Sequence, residues 1–307
     1  LGLALFAIGS LVAASADDIW ITILGRAIQG AGAISSAVVA FAADLTREQH
    51  RTKTMAMIGG SIALMFAVSL VAAPAMYRVI GMSGIFVFIG ALSIAAIFWT
   101  AFVIPAEPLE MRDHSRRVKA SVVGEVLRNP ELLRLDFGIF VLHMAQMSLF
   151  LVLPLALVEH AQMPVSEHWK LYLPVVLVSF VLMVPPIMLA ERSGRMQVMF
   201  MGAVLLMAAV HAGLVLGYRD FRMVAVLLTL FFVAFNVLEA SLPSLVTKFA
   251  PVHARGTAIG VYNTAQALGL FVGPWIAGGI AKNFGVSQVF VFGLVMFALW
   301  VVVAWPM

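Results

Sequence analysis

Two residue types that rarely survive inside apolar helices carry the chemistry: a permanent cation, Arg26, and a carboxylic acid, Glu239. Each lies in a stretch apolar enough to cross a bilayer, LGRAIQGAGA around Arg26 and FFVAFNVLEASL around Glu239. Arginine keeps its charge at any working pH. Holding that charge at mid-membrane costs about 2.5–3.5 kcal/mol on insertion scales, so such a group is expected to face a bundle interior or a wet cavity. Gln29, Gly30, Ala33 and Ala37 share its face at helical spacing. The small residues let a second helix approach, and Gln29 can hydrogen-bond the guanidinium or a ligand. Glu239 has Asn236 one turn earlier, and a carboxyl group at that depth is suited to taking up and releasing a proton. His143, with Gln146 at i+3, is a second proton candidate, because histidine changes charge nearest neutral pH. Tyr262, Asn263 and Gln266 form a polar strip on a third apolar stretch and could line a cavity. Structural alternatives stay open: Arg26 as an ion pair pinning two helices, Glu239 as a protonated group bridging helices, and His143 as a satisfied core residue. His211 stands among apolar residues and reads as core.

The elements that must position these groups follow from composition. Hydrophobic residues make up 63% and charged residues 11% of 307, with mean hydropathy +1.04. Soluble domains carry about 45–50% apolar and about 25% charged residues, so this is an integral membrane protein. Long uncharged runs with a 3.6-residue period indicate an all-α protein rather than a barrel. The absence of cysteine excludes disulfides, thiolate metal sites and thiol nucleophiles. The net charge of +4 is spread over membrane-flanking loops and does not suggest a nucleic-acid binder. No cofactor and no metal site is expected, and HExxH, GxSxG and phosphate-cradling loops are missing, which argues against an enzyme.

Breaks at charged and turn-forming residues predict ten apolar segments: 1–16, 19–44, 54–77, 82–104, 135–158, 170–190, 196–217, 222–248, 256–281 and 286–306. The first is short for a span, and the chain opens on Leu1, so an N-terminal piece is expected to precede it; a signal peptide is not expected, for want of a basic n-region. Loop cations alternate. Arg47, Arg51, Lys53, the basic cluster 112–134, Arg192, Arg195, Lys248 and Arg255 form the richer set, which the positive-inside rule places in the cytoplasm. Arg78, Lys170, Arg219, Arg222 and Lys282 form the poorer, outer set. The long polar stretch 105–134 is expected to carry a short surface helix around Val118–Leu127. It divides the chain into residues 1–104, a cytoplasmic loop 105–134, and residues 135–307.

Weak internal repetition supports that division. Lys53-Thr54-Met55-Ala56-Met57 and Arg255-Gly256-Thr257-Ala258-Ile259 open two spans that each reach a proline preceded by small residues, Pro74 and Pro274. Several motifs together resemble the major facilitator superfamily, and within it the drug:proton antiporter branch and YajR-type transporters. Residues 24–30, LGRAIQG, resemble the fourth-helix RxxQG motif. Residues 269–274, GLFVGP, resemble the antiporter GxxxGP element in the eleventh helix, and 69–74, SLVAAP, a degenerate copy in the fifth. Residues 189–195, LAERSGR, resemble the LADRxGR loop motif in its second-half position. Residues 44–49, DLTREQ, and 232–236, FVAFN, with Glu239, carry the YajR-type likeness.

The resemblance implies two six-helix bundles, with ten of twelve transmembrane helices visible here, in a multi-pass protein of the bacterial inner membrane. It implies alternating access by rocking halves, with a small molecule and protons as partners besides the lipid bilayer, and a monomer. Arg26, Glu239, His143 and Asn236 are the expected coupling groups, and Gln29, Gln146, Tyr262, Asn263 and Gln266 the cavity lining. Asp44 would join a cytoplasmic charge network, with Glu191, Arg192 and Arg195 as its second-half counterpart; topology determinants are the plain alternative. Pro74, Gly269, Gly273 and Pro274 are helix-interface elements that the family uses between its halves. Efflux of apolar or amphiphilic compounds by proton antiport is the expected function, with proton-symport import as the alternative. A soluble C-terminal domain, which YajR-type proteins can carry, is not visible in the chain.

Overall fold

The computed structural model describes residues 1–32, 48–104 and 120–305. Asp44, Ala33 and Ala37 lie outside them. Chain contacts divide the molecule into two units, Leu1–Ser115 and Arg116–Met307.

In the first unit, α1 (Gly2–Ala14) and α2 (Ile19–Ala31) are joined by a tight acidic turn. Asp18 caps α2, its carboxylate accepting from the Ile21 amide at 2.8 Å, which satisfies an orphan donor of the first turn. The two helices meet at glycines: a Cβ on Gly25 would sit 2.6 Å from the Ala13 nitrogen and 2.7 Å from the Gly9 carbonyl oxygen. This corrects the sequence expectation for Gly30, beside which a Cβ would meet nothing. The close approach runs through Gly25, on another face of the helix from Gly30.

The helix α3 (Glu48–Phe102) has 55 residues, about 80 Å if straight and far more than the ~30 Å of hydrocarbon. It is broken at Gly81, where φ is 67° and ψ −176°, a conformation open to glycine and costly for L side chains. The break falls between the predicted segments 54–77 and 82–104.

In the second unit, the short helix α4 (Ala120–Val126) lies within the stretch predicted to hold a surface helix. It is followed by five long apolar helices: α5 (Pro130–Ala161), α6 (Trp169–Ser193), α7 (Met196–Gly217), α8 (Phe221–Phe249) and α9 (Arg255–Phe284). The 19-residue α10 (Val286–Ala304) closes the unit. With the far part of α3, seven stretches among the described residues are long and apolar enough to span a membrane. Predicted segments and observed helices agree in order, but α5 starts five residues early. Asn129 accepts from the Glu131 and Leu132 amides and Pro130 occupies the first turn, a strong start signal that lies in polar sequence.

The helix α5 is the most deeply buried. Leu135, Ile139, Leu142, Leu149 and Leu153 are enclosed on it, and α9, α10 and α8 all pack against it. Gly269 and Gly273 let α9 approach: a Cβ on either would collide with the Phe140 or Met144 carbonyl oxygen. Ser148 Oγ–H is shared between the Met144 carbonyl of its own helix at 2.7 Å and, across this seam, the Gly273 carbonyl at 3.1 Å. The glycines of the GxxxGP element therefore face α5 of their own unit. Pro274 follows them half-buried in α9, and Pro74 lies half-buried inside α3.

Candidate functional site

Three helices of the second unit bring a histidine, an amide and an acid together. His143 on α5 presents Nδ1 to the Ile139 carbonyl at 3.3 Å. A carbonyl only accepts, so Nδ1 carries the hydrogen and Nε2 is left to accept. Gln266 on α9 donates Nε2–H to that nitrogen at 2.8 Å. The same amide nitrogen donates to Glu239 Oε1, on α8, at 3.4 Å. Glu239 Oε2 lies 3.7 Å from His143 Nε2 and has no hydrogen-bond partner among the described residues, although the glutamate side chain as a whole is 37% exposed. The edge of Phe235 packs on the His143 ring at a centroid distance of 5.5 Å, which fixes its plane.

Other predicted residues surround this cluster without joining it. Asn236 donates to Ser179 Oγ at 3.0 Å, linking α8 to α6. Tyr262 is buried one turn before Gln266, and its hydroxyl is unpartnered among the described residues. Gln146 is buried on α5, and Asn263 is half-buried on α9. Glu191, Arg192 and Arg195 are exposed at the α6–α7 turn, where Gly194 adopts φ 67° and closes the helix. None of the three forms an ion pair among the described residues.

Arg26 lies in the middle of α2. Its side chain is exposed on its unit rather than enclosed within it. It donates to Gln29 Oε1 at 2.8 Å, and buried Gln29 donates in turn to Ser10 of α1. The buried polar member of the pair is therefore the glutamine.

Sequence reading missed Asp136. It is 8% exposed on α5, its Oδ2 has no partner among the described residues, and it precedes His143 by two helical turns on one face. Placing the membrane edge at residue 135 made it an end residue; the heptad spacing to His143 was the available signal. Ser179 and Ser148 were also missed, since lone serines in apolar helices usually bond their own backbone. His211 is a core residue. Its Nδ1 faces the Met207 carbonyl at 2.9 Å, its ring packs on Phe297 at 4.8 Å, and Gly293 leaves room for it.

A bundle of long apolar helices with an amide-bridged acid and histidine between them defines a multi-pass membrane protein. The chain belongs to the major facilitator superfamily, a family of transporters and not of enzymes: the model described as Major Facilitator Superfamily matches residues 1–190 and 175–307. The inner membrane transport protein YajR of Escherichia coli (strain K12) is 42% identical over 303 residues, 99% of this chain; the chain spans 66% of that relative's length. The multidrug resistance protein MdtH of Aeromonas hydrophila is 25% identical over 64% of this chain and 48% of its own. The crystal structure of the human organic anion transporter MFSD10 (TETRAN) shares the fold, with a TM-score of 0.73 at 20% identity over 99% of this chain and 75% of its own.

Proposed function

We propose that the protein is a proton-coupled secondary transporter of the bacterial inner membrane that exports small apolar or amphiphilic compounds by alternating access. The twelve-helix, two-bundle architecture implied by the motifs belongs to this proposal, as does a monomeric state. The observation that carries it is the His143–Gln266–Glu239 cluster. A buried carboxylate oxygen without a donor is costly, and a proton is the smallest group that relieves it. Glu239 Oε2 is the atom where that proton would sit, within one small side-chain movement of His143 Nε2. The cluster ties α5, α8 and α9 together, so its protonation state bears on how these helices pack. Coupling needs only that proton and cargo bind the alternating states with different affinities. The relative named as a multidrug resistance protein supports an efflux direction and a drug-like cargo.

The test is Glu239→Gln in the complete protein, reconstituted in proteoliposomes and assayed with a panel of amphiphilic dyes. The expected result is loss of flux driven by a pH gradient with dye binding retained. Unchanged pH-driven flux would remove Glu239 from the mechanism. Accumulation of dye in inverted vesicles and not in right-side-out ones would establish export.

A further inference from the structure

A cavity of about 500 Å³ opens between α6 and α7 and is floored by α8. Both α6 and α7 pack on α8 far more than on each other, which leaves the cleft between them. Its floor is made of small or compact buried residues, among them Ala190, Ala203, Ala234 and Val237. Val233, Ala234 and Val237 lie on the face of α8 opposite Glu239, at 100° per residue, so the cleft turns away from the polar cluster. Its walls are apolar except at one end, where Ser193 and Arg195 line it at the α6–α7 turn. Arg192 lies three residues away in the same turn and is exposed. Both arginines belong to the cation-rich side that the positive-inside rule assigns to the cytoplasm.

We infer that this cleft is a binding site for an anionic phospholipid of the cytoplasmic leaflet, with an acyl chain along the α6–α7 groove and the phosphate on Arg195. A pocket for a soluble cargo places polar groups around the middle, where they fix orientation. Here the only charge among the described lining residues is a cation at the rim, followed by a long apolar cleft, which is the pattern of an anionic amphiphile. A guanidinium matches a phosphate bidentately, and basic pockets between membrane helices on the cytoplasmic side suit acidic head groups. Arg195 gains in this way a lipid partner that the exposed turn does not otherwise give it. The inference does not depend on the proton site.

Native mass spectrometry of the complete protein, equilibrated with equal dioleoylphosphatidylglycerol and dioleoylphosphatidylcholine, reads the site directly. The expected result is one phosphatidylglycerol retained in at least fivefold preference. Arg195→Gln should lower that retention about fivefold, the loss of one juxtamembrane cation, while Arg195→Lys keeps most of it. Arg195 precedes α7 without a side-chain capping bond, so the substitution removes no helix cap. Gly202→Leu should block both lipids, because a Cβ there meets nothing within 4 Å and the longer side chain projects into the cleft. Equal retention of the two lipids by the unaltered protein would overturn the inference. So would phosphatidylglycerol binding untouched by Arg195→Gln and Gly202→Leu, or a cleft that Gly202→Leu closes to the apolar dye Nile red but not to lipid.

Discussion

Replacing Gly273 by alanine probes the α5–α9 seam that holds the polar cluster. The new methyl would overlap the Met144 carbonyl oxygen and sit 3.0 Å from the Met144 carbonyl carbon and Cα. All three are backbone atoms, so no rotamer change relieves them, and α5 and α9 must separate by roughly 1 Å to restore ordinary packing. Overpacking of this kind costs about 1–3 kcal/mol. Parting the helices also stretches the 3.1 Å bond from Ser148 to the Gly273 carbonyl, worth about 0.5–1.5 kcal/mol. The total is about 2–4 kcal/mol. Two turns earlier on the same helix, the 2.8 Å contact between Gln266 and His143 has little slack and should open with it. Thermal unfolding in detergent, followed by tryptophan fluorescence, should show a fall of roughly 5–10 °C. Gly278→Ala is the control, since its Cβ would meet only Leu151 Cδ2 at an ordinary 3.7 Å. A Gly273→Ala protein as stable as the control, with undiminished pH-driven transport, would refute the claim that glycines set the distance between α5 and α9.

Gln266→Leu removes the shared donor from His143 and Glu239; a destabilisation of about 1–3 kcal/mol is expected in urea titration in detergent, together with loss of pH-driven flux. A double-mutant cycle of Asn236→Ala and Ser179→Ala should return a coupling of about 1 kcal/mol in the same titration, the value of one cross-helix hydrogen bond. Gly293→Ala should destabilise by about 1–3 kcal/mol through collision with the His211 ring, and adding His211→Ala should recover part of that loss in thermal unfolding.

The helices were legible because apolar runs and the charges between them report directly on hydrocarbon thickness. The break at Gly81 falls where the sequence reading separated two spans, since only a residue tolerant of positive φ interrupts so long an apolar run cheaply. The cluster itself was only half legible. His143, Glu239 and Gln266 could each be chosen as polar residues in apolar surroundings, but residues 123 positions apart do not announce that they touch. A helical period identifies a face and leaves its partner unknown. The same limit explains Gly30, chosen for its small size when the contact runs through Gly25 and Gly9. Asp136 was hidden by a boundary placed too late, because the Asn129–Pro130 start signal is written in polar residues that resemble loop.

The hold of the Ile139 carbonyl on His143 Nδ1 has a consequence for direction. With that nitrogen committed, the ring can only receive at Nε2 while neutral, and Gln266 must offer it an N–H. A second proton on the ring would set two donors head to head. The carboxamide, whose two ends have opposite polarity, would then have to rotate by half a turn and withdraw its N–H from Glu239 as well. One proton arriving at the imidazole would thus rewrite both links of the triad at once, through a single uncharged side chain.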